Sequence, residues 1–410
     1  MLSETRMSKQ KIILASTLLC LAPMANANNP ADLVWISLPE NAVGLDSGTL
    51  QYRLTVQKGG TEASAPEDVR AILIEQAQLD TLSAKLHNHT GHGPGYMLHS
   101  SLEDALAAQQ VQRRPSYDIG EQEVVQRLMG QIDETRLIQV IEQLSRFETR
   151  LHTSAHGAQA SLAIRDLWKS WVGNRTDVQV EQIAHVTTPQ KCVVLTIAGS
   201  EKPDEVIVLG GHLDSISGRP RAPGADDNAS GIASLSEVIR VLLENNYQPK
   251  RTLKFIAYAA EEGGLRGSGE IAQSHRQKNI DVLGALQLDM TNYKGSADDI
   301  YLYDDYTDAA QNDFLRRLIV TYQPSLRIGT SRCGYGCSDH ASWHRYGYAA
   351  SFPFEARFGQ HNPYIHSTND TLEKSAGAAS HAAKFSRLAL SYAIELGSGT
   401  HAVSSATHQD

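Results

Sequence analysis

Four apolar runs in the second half of this chain constrain its fold more than any other feature. Their residues are mostly β-branched or otherwise apolar, and they do not alternate with polar residues as a half-exposed strand would. Such runs predict strands that are covered on both faces. The runs are 192–198, 206–209, 253–260 and 283–288. We therefore expect an α/β fold in which helices, such as the one predicted at 229–244, pack against the sheet.

Polar side chains follow the ends of these predicted strands or precede the helix between them. They are His212 and Asp214 after the second run, Asp226 and Asp227 before the 229–244 helix, Glu261 and Glu262 after the third run, and Asp289 after the fourth. In open α/β sheets, ligands bind in the crevice outside the carboxyl ends of the strands. We therefore expect these side chains to converge at one edge of the sheet.

Such a set of imidazole and carboxylate groups predicts a metal site. Several carboxylates at one edge are costly to bury without cations, and a divalent ion removes that cost. The donor set suits zinc and is also compatible with cobalt or manganese. Two ions about 3.5 to 4 Å apart, bridged by a carboxylate, would use five side chains. The candidates for the second imidazole are His340, His344, His361 and His366, and the turn-rich segment 362–370 favours His366.

The amino terminus has the features of an export signal. Basic residues precede an apolar block at 12–23, and Ala25 and Ala27 are small residues at the positions that signal peptidase reads. We predict a signal peptide at 1–27 and a secreted protein, with the periplasm as the alternative compartment. A lipid anchor at Cys20 is a minor alternative. The apolar block is shorter than the roughly 20 residues that a membrane span needs, so no span is expected.

Charge and cysteine content limit the partners and the compartment. The 46 acidic and 37 basic residues give a net charge of −9, which argues against a nucleic-acid partner. In an oxidising compartment, the spacing of Cys333 and Cys337 predicts a disulfide that closes a short loop. Cys192 lies inside an apolar run and is expected to behave as a buried apolar residue.

Residues 28–120 differ in pattern from the rest of the chain and predict a small separate unit. This part contains a strand-like stretch at 51–56 and a helix-like stretch at 69–86, whereas the region after it predicts helices at 139–151 and 160–171. Between the helix-like stretch and residue 100 lie histidines among glycine and proline residues. We interpret this segment as a mobile loop rather than a metal site. Its histidines are His87, His89, His92 and His99.

Together these motifs resemble the secreted bacterial leucyl aminopeptidases, which are two-zinc exopeptidases. The resemblance covers about residues 125–398. Its motifs are GGHLDS at 210–215, APGADDNASG at 222–231, AYAAEEGGLRGS at 257–268, LQLDM at 286–290 and IHST at 365–368. It implies a doubly wound, mostly parallel sheet with helices on both faces as a catalytic domain at 121–400. A propeptide unit at 28–120 would precede this domain, and a flexible tail at 401–410 would follow it.

Residue by residue, the resemblance also implies roles at the predicted metal site. The ligands of two zinc ions per chain would be His212 and Asp289 for one ion, Glu262 and His366 for the other, and Asp227 as the bridge. Glu261 would be the general base. The family motif, and not the residues alone, separates Glu261 from Glu262 and Asp227 from Asp226. Asp214 is predicted to orient the imidazole of His212, two residues before it.

The implied reaction is hydrolysis of the first peptide bond of peptides or proteins that have a free amino terminus. Glu261 would take a proton from water and pass it to the leaving amine. The family prefers leucine or other large apolar amino-terminal residues, and Tyr335 is a candidate donor to the developing oxyanion. Candidate residues of the substrate pocket are Met290, Tyr335, Phe352, Phe354, Phe358 and Ile365. We expect the protein to act as a monomer.

The resemblance further implies that residues 28–120 are a removable propeptide that covers the crevice. Processing is expected between residues 113 and 120. Three alternatives stay open. A single-zinc glutaminyl cyclase is disfavoured because His212 and Asp289 complete a second ligand shell, and a carboxypeptidase on the same scaffold would differ in the end of the peptide that it attacks. A metal-free binding domain is the least favoured, because all five ligands and the base are present.

Overall fold

The computed structural model describes residues 33–39, 54–55, 69–90, 95–106, 111 and 113–398. The predicted signal peptide at 1–27 and the predicted tail at 401–410 lie outside these residues. Within the described stretches, the chain forms a small amino-terminal unit and a larger α/β domain. None of the helices in these stretches is both long and apolar enough to cross a membrane.

The amino-terminal unit is a four-stranded sheet with two helices. Its elements are β1 (Leu33–Pro39), β2 (Leu54–Thr55), β3 (Val69–Glu75), α1 (Leu79–Thr90), β4 (Met97–His99) and α2 (Leu102–Leu106). The expected helix at 69–86 is wrong in its first part, because β3 pairs antiparallel with β1 there. Ile72 and Ile74 alternate along β3 and are both buried against Leu82 of α1, which favours a strand.

The histidine segment also differs from its interpretation as a mobile loop. His87 and His89 belong to α1, and His99 belongs to β4. The His99 side chain is buried, and its Nε2 lies 2.7 Å from the hydroxyl oxygen of Ser37. His92 lies outside the described residues. Regular hydrogen bonding of the backbone therefore overrides the glycine and proline content around these three histidines.

The α/β domain is built on a six-stranded sheet with a smaller three-stranded sheet beside it. Its strands are β5 (Val178–Ile183), β6 (Cys192–Ile197), β7 (Lys202–His212), β8 (Arg251–Tyr258), β9 (Asp281–Gln287), β10 (Ile300–Tyr303), β11 (Ile328–Ser331), β12 (Ala350–Ser351) and β13 (Pro353–Phe354). The four apolar runs correspond to β6, β7, β8 and β9. The expected α/β fold is confirmed.

The order of the six strands is β12-β9-β7-β8-β6-β5. β12, β9, β7 and β8 run parallel to one another, whereas β6 is antiparallel to both β8 and β5. The chain leaves β7 for β8 on one side and then crosses to β9 on the other. The carboxyl end of β7 is therefore a switch point, where α/β sheets bind their ligands.

Helices cover both faces of the main sheet. They are α3 (Gln122–Met129), α4 (Glu134–Ser145), α5 (Ala155–Ser170), α6 (Gly231–Glu244), α7 (Arg266–Gln277), α8 (Ala309–Tyr322), α9 (His340–Arg345) and α10 (Ala382–Ser398). Val193 and Leu195 of β6 join a large core that includes residues of α4, α5, α6 and α10. Val194, between them, belongs to the core that contains residues of α7 and α9. Successive strand residues thus reach opposite apolar layers.

The predicted helix at 139–151 ends earlier than expected, at Ser145. Beyond it, the backbone N–H of Arg150 donates to the hydroxyl oxygen of Ser215 instead of to a helical carbonyl, at 3.1 Å. Contacts with a distant loop therefore replace the last helical turns. The helix predicted at 160–171 begins earlier, at Ala155, because the side chain of Ser154 caps the N–H of Gly157.

Candidate metal centre

The ends of three neighbouring strands deliver most of the predicted ligands. His212 is the last residue of β7, Glu262 follows β8, and Asp289 follows β9. Asp227 lies in the turn just before α6, and His366 comes from the loop after β13. The structure therefore brings residues from five separate parts of the chain to one edge of the sheet, as the sequence predicts.

The ligand atoms form two groups that share one residue. His212, Asp227 and Asp289 make one group, and Asp227, Glu262 and His366 make the other; within each, the ligand atoms lie within 4.8 Å of one another. The Nε2 atom of His212 is 3.2 Å from carboxylate oxygens of both Asp227 and Asp289. The Nε2 atom of His366 is 3.0 Å from Asp227 Oδ2 and 3.4 Å from Glu262 Oε2. Asp227 thus faces both imidazoles.

Asp214 supports the centre in two ways. Its Oδ1 atom lies 3.4 Å from Nδ1 of His212, on the opposite side of the ring from the ligand nitrogen. Its two carboxylate oxygens also accept the backbone N–H groups of Glu261 and Glu262, each at 3.1 Å. The predicted orientation of the imidazole agrees with this geometry. The second contact, which links the end of β7 to the end of β8, has no signal in the sequence.

Close backbone approach explains two glycines beside the site. A Cβ atom at Gly211 would lie 2.8 Å from the carbonyl oxygen of Leu288, and one at Gly231 would lie 2.5 Å from the same oxygen. Neither position has room for a side chain. The side chain of Asn228 occupies the space between them and donates to the Leu288 carbonyl at 3.0 Å. The turn that carries Asp227 is thereby fixed against the end of β9.

Sequence reasoning missed two other buried groups that hold the ligands. The carboxylate of Asp370 accepts the backbone N–H groups of Asp226 at 3.1 Å and Asp227 at 3.0 Å. The hydroxyl of Ser338 donates to Asp289 Oδ2 at 2.7 Å. Each residue is far in sequence from the ligand that it supports. Polar residues of this kind are common in loops, so a single sequence offers no signal that would single them out.

The electrostatics of the centre reflect its crowding. Burial would lower the pKa of His212, but the charges of Asp289 and Glu261 raise it well above its ordinary value. Burial would raise the pKa of Asp227, but hydrogen bonds from His212 and His366 hold it well below its usual range. Burial raises the pKa of the Glu261 carboxyl well above its usual range, and the charge of His212 offsets this only in part.

The residues fit a divalent cation. Two imidazoles and three carboxylates meet there, all buried except His366, which is partly buried, and the neighbouring carboxylates raise the pKa of both imidazoles despite burial, so that these favour their protonated forms. Cations bound at the same nitrogen and oxygen atoms would replace those protons, as metal binding to histidine generally does. His366 is the member of the four candidate histidines that belongs to a ligand group among the described residues. The His340 ring instead stacks on Phe352, with centroids 4.6 Å apart.

The six predicted pocket residues lie together beside the ligands. Met290, Tyr335, Phe352, Phe354 and Ile365 are buried in one apolar cluster, and Phe358 packs against it. The predicted disulfide between Cys333 and Cys337 is present and belongs to the same cluster. We call this group, which also includes Tyr301 and Tyr303, the aromatic cluster. Tyr335, Phe358 and Ile365 keep some surface exposed, whereas Met290, Phe352 and Phe354 have none.

The amino-terminal unit contacts the strand end that carries Glu261 and Glu262. The hydroxyl of Ser83 donates to the carbonyl oxygen of Glu262, and that of Tyr96 donates to the carbonyl oxygen of Gly263 at 2.8 Å. Asp80 forms an ion pair with Arg266 at 2.9 Å. Met97 packs with Leu265 and Ala341 in a small apolar cluster. This unit therefore lies directly beside the candidate centre.

Comparison with known proteins gives consistent matches. Residues 192–391 match peptidase family M28. A probable aminopeptidase of Saccharomyces cerevisiae is 34% identical over 297 residues, which cover 68% of this chain and 78% of that protein. A probable leucine aminopeptidase of Arthroderma otae is 32% identical over 66% of this chain and 76% of that protein.

Solved structures extend the match to the amino-terminal unit. The crystal structure of the LapA aminopeptidase of Legionella pneumophila has a TM-score of 0.77 and 28% sequence identity. It covers 90% of this chain and 99% of that one, so the similarity reaches beyond the α/β domain. The sequence matches and the shared fold agree, and the chain belongs to peptidase family M28.

Proposed function

We propose that this chain is an aminopeptidase that uses two zinc ions to hydrolyse the first peptide bond of a peptide or protein. One observation carries the proposal: two groups of zinc-type ligands share Asp227, and Glu261 follows the same strand as one of those ligands. Imidazole and carboxylate donors of this kind suit zinc. Relatives named as aminopeptidases support the choice of reaction.

The side chains divide the work of the reaction. When bound, the two ions would supply Lewis acidity for a water nucleophile and for the scissile carbonyl. Glu261 accepts a proton from the attacking water as the new C–O bond forms, and it returns that proton to the leaving nitrogen as the C–N bond breaks. Asp214 holds the backbone of Glu261 in place, so the base is fixed relative to His212. The free α-amino group of the substrate lies near the ligand carboxylates, which favours an unblocked amino terminus.

A large apolar first residue is the preferred substrate in this proposal. The aromatic cluster lies beside Asp289 and His366, since Met290 and Ile365 are their immediate neighbours in the chain. A substrate side chain would first reach Phe358, which is half-buried, and then Tyr335 and Ile365, which are buried but keep a little exposed surface. Burying a leucine side chain there contributes about 1.5 to 3 kcal/mol of binding free energy. Leucine is therefore favoured over alanine or a charged residue.

Two adjacent glutamates provide the test. Glu261→Gln removes the base but leaves every ligand in place, so the variant should retain about two zinc ions and lose turnover by about 10²- to 10⁴-fold. Glu262→Gln is the matched control, because it removes a ligand one residue away and should lower the zinc content. Metal analysis and hydrolysis of leucine p-nitroanilide measure both effects. An active Glu261→Gln variant would exclude Glu261 as the base.

The same assay separates the alternative reactions. Release of the first residue from a free peptide, with no release from its amino-acetylated form, supports an aminopeptidase. A carboxypeptidase would release the last residue from both peptides. A glutaminyl cyclase would convert an amino-terminal glutamine to a ring without cleaving any peptide bond. Zinc-free wild-type protein with full activity would overturn the metal-dependent proposal.

Export and processing form the second part of the proposal. The predicted signal peptide at 1–27 supports secretion, and we assign residues 28–120 as a propeptide that restrains the enzyme. Support for restraint comes from the contacts of Ser83 and Tyr96 with the main chain directly after the base. Processing between 113 and 120 would separate this unit from the catalytic domain.

A further inference from the structure

Arg150 is a buried cation behind the metal centre. It lies in the loop between α4 and α5, and none of its surface is exposed. Its guanidinium donates Nε to the carbonyl oxygen of Leu213 at 2.8 Å and Nη2 to that of Gly224 at 2.8 Å. Nη1 donates to the carbonyl oxygens of Pro223 and, at 3.3 Å, Leu144. All four acceptors belong to the main chain.

Three of these acceptors lie at the two ends of a single loop, residues 213–224, which separates His212 from Asp227. Leu213 directly follows His212, and Gly224 comes three residues before Asp227. The loop is also closed on itself, because the hydroxyl of Ser215 donates to the Ala222 carbonyl at 2.8 Å. One planar group thus joins the end of β7 to the turn before α6. Its rigid fork of donors matches this arrangement, which a flexible ammonium cannot reproduce.

We propose that Arg150 is a positioning residue of the metal centre, which sets the separation of His212 and Asp227 by binding the carbonyl groups of Leu213 and Gly224. The inference rests on the proposed metal-binding function. Arg150 does not touch the ligand side chains through these bonds. It acts on them through the backbone at each end of the loop, as residues around a metal site commonly do.

The direction in which metal affinity changes when Arg150 is substituted distinguishes a positioning role from a purely electrostatic one. Burial lowers the pKa of Arg150, and the negative charges of acidic groups at the centre oppose that shift; these are Asp370, Asp227, Asp214 and Glu262. A nearby positive charge opposes cation binding, so removal of the charge alone would tighten metal binding. Loss of the positioning bonds would instead weaken metal binding, because the ligands would no longer be held at the required separation. The two explanations therefore predict opposite changes in metal affinity.

Two substitutions and one control test the proposal. Arg150→Met removes both the charge and the donors, whereas Arg150→Lys keeps the charge but loses the fork. We expect both variants to bind zinc about 10- to 100-fold more weakly than the wild type. Arg251→Met is the control. Arg251 is also buried, at the start of β8, and donates to the Leu396 carbonyl at the opposite end of the sheet.

The measurements are the zinc dissociation constants, obtained by competition with a chromophoric chelator, and the visible absorption spectrum of the cobalt-loaded protein. The spectrum should change in both Arg150 variants and stay unchanged in Arg251→Met. Affinity for zinc within twofold of the wild type, or tighter, in Arg150→Lys would overturn the proposal. If Arg150→Met fails to fold by circular dichroism, Arg150→Lys decides the question. A wild-type protein that binds no zinc would overturn the proposed function itself, and the inference with it.

Discussion

Asp226 and Asp227 are adjacent in the chain and carry the same side chain, but their carboxylates have different hydrogen-bonding partners. The carboxylate of Asp226 accepts the backbone N–H of Asn292 at 3.0 Å and the side-chain amide of Asn362 at 3.1 Å. Asp227, the next residue, faces both imidazoles. Burial raises the pKa of Asp226 to about 6, whereas hydrogen bonds with His212 outweigh burial and lower the pKa of Asp227. Neighbouring side chains point apart, so only Asp227 of the two belongs to the candidate ligand groups.

This divergence limits what can be predicted at single residues. The strand ends identify His212, Asp289 and the two acidic pairs as candidates, because polar groups after apolar runs stand out in the sequence. Which member of each pair is the ligand depends on local backbone direction, and the family motif supplies that choice. Asp370 and Arg150 leave no comparable signal, since their roles arise from contacts between segments that the fold alone brings together.

The environment of His275 predicts that the free energy of unfolding depends on pH through this residue. Its Nδ1–H donates to the Ile271 carbonyl at 2.8 Å, and its Nε2 accepts from the ammonium of Lys254 at 3.1 Å. Burial and the charge of Lys254 lower the pKa of His275 to about 4. A histidine whose pKa is lowered by folding stabilises the protein fully above its unfolded pKa of about 6.5. That contribution is lost as the pH falls from there towards about 4.

Comparison of the wild type with His275→Gln isolates this residue from all other titrating groups. Between about pH 8 and about pH 5, the free energy of unfolding should fall by about 2 kcal/mol more in the wild type than in the variant. Urea unfolding of metal-free protein, followed by circular dichroism at both pH values, gives the two differences. The same pH dependence in both proteins would mean that His275 titrates normally in the folded state.

At the scale of elements, apolar content predicts strands better than it predicts their ends. β7 begins at Lys202, before the expected start at 206, because Lys202 pairs with Arg251 of β8 although residues 202–204 are exposed. The pattern at 69–86 predicts one helix, but its first part is a strand. Ile72 and Ile74 lie on the buried face, and pairing with β1 decides the outcome there. Such pairing joins residues distant in sequence, so local patterns cannot supply it.

In the proposed function, the loop closed by Cys333 and Cys337 is the element most directly tied to substrate preference. Replacing both cysteines with serine would release Tyr335, which lies inside the loop and within the aromatic cluster. Immobilising a freed side chain on binding costs about 0.5 to 1.5 kcal/mol. We therefore expect KM for leucine p-nitroanilide to rise several-fold with little change in kcat, since the ligands and Glu261 are untouched. Steady-state kinetics measure both constants.

A shorter substrate serves as the control for this variant. The methyl group of alanine p-nitroanilide is too small to fill the same apolar site as leucine, so its KM should change less. The double variant should also lose about 2 kcal/mol of unfolding free energy through the greater freedom of its unfolded chain. An equal rise in KM for both substrates would indicate a general disturbance of the centre and would remove the disulfide loop from substrate selection.

At the scale of the whole molecule, the amino-terminal unit contacts the α/β domain through several of its elements, including α2. α1 and the residues before β4 contact the segment after β8, through Ser83, Tyr96 and Asp80. The connecting stretch lies along the α/β domain, where Arg113 pairs with Glu205 at 2.9 Å and Arg114 pairs with Asp308. Cleavage of that stretch removes only the covalent link, so release of the unit also requires the contacts of α1, β4 and α2 with the α/β domain to break.

If the amino-terminal unit restrains the enzyme, peptidase activity should rise when the connecting stretch is cleaved. It should also rise when the contacts between the unit and the α/β domain are removed by mutation. Trypsin should cut after Arg113, whose side chain is 52% exposed, because the bond after Arg114 precedes Pro115 and resists trypsin. Cleaved protein should hydrolyse leucine p-nitroanilide faster than intact protein.

In the uncut chain, Asp80→Asn combined with Tyr96→Phe should raise the rate of leucine p-nitroanilide hydrolysis several-fold, because each lost bond weakens the docked state of the amino-terminal unit by about 1 kcal/mol. Glu103→Gln, at an exposed position of α2, is the matched control. Equal rates for intact, cleaved and doubly substituted protein would exclude restraint, and the unit would then serve only to stabilise the segment that carries the base.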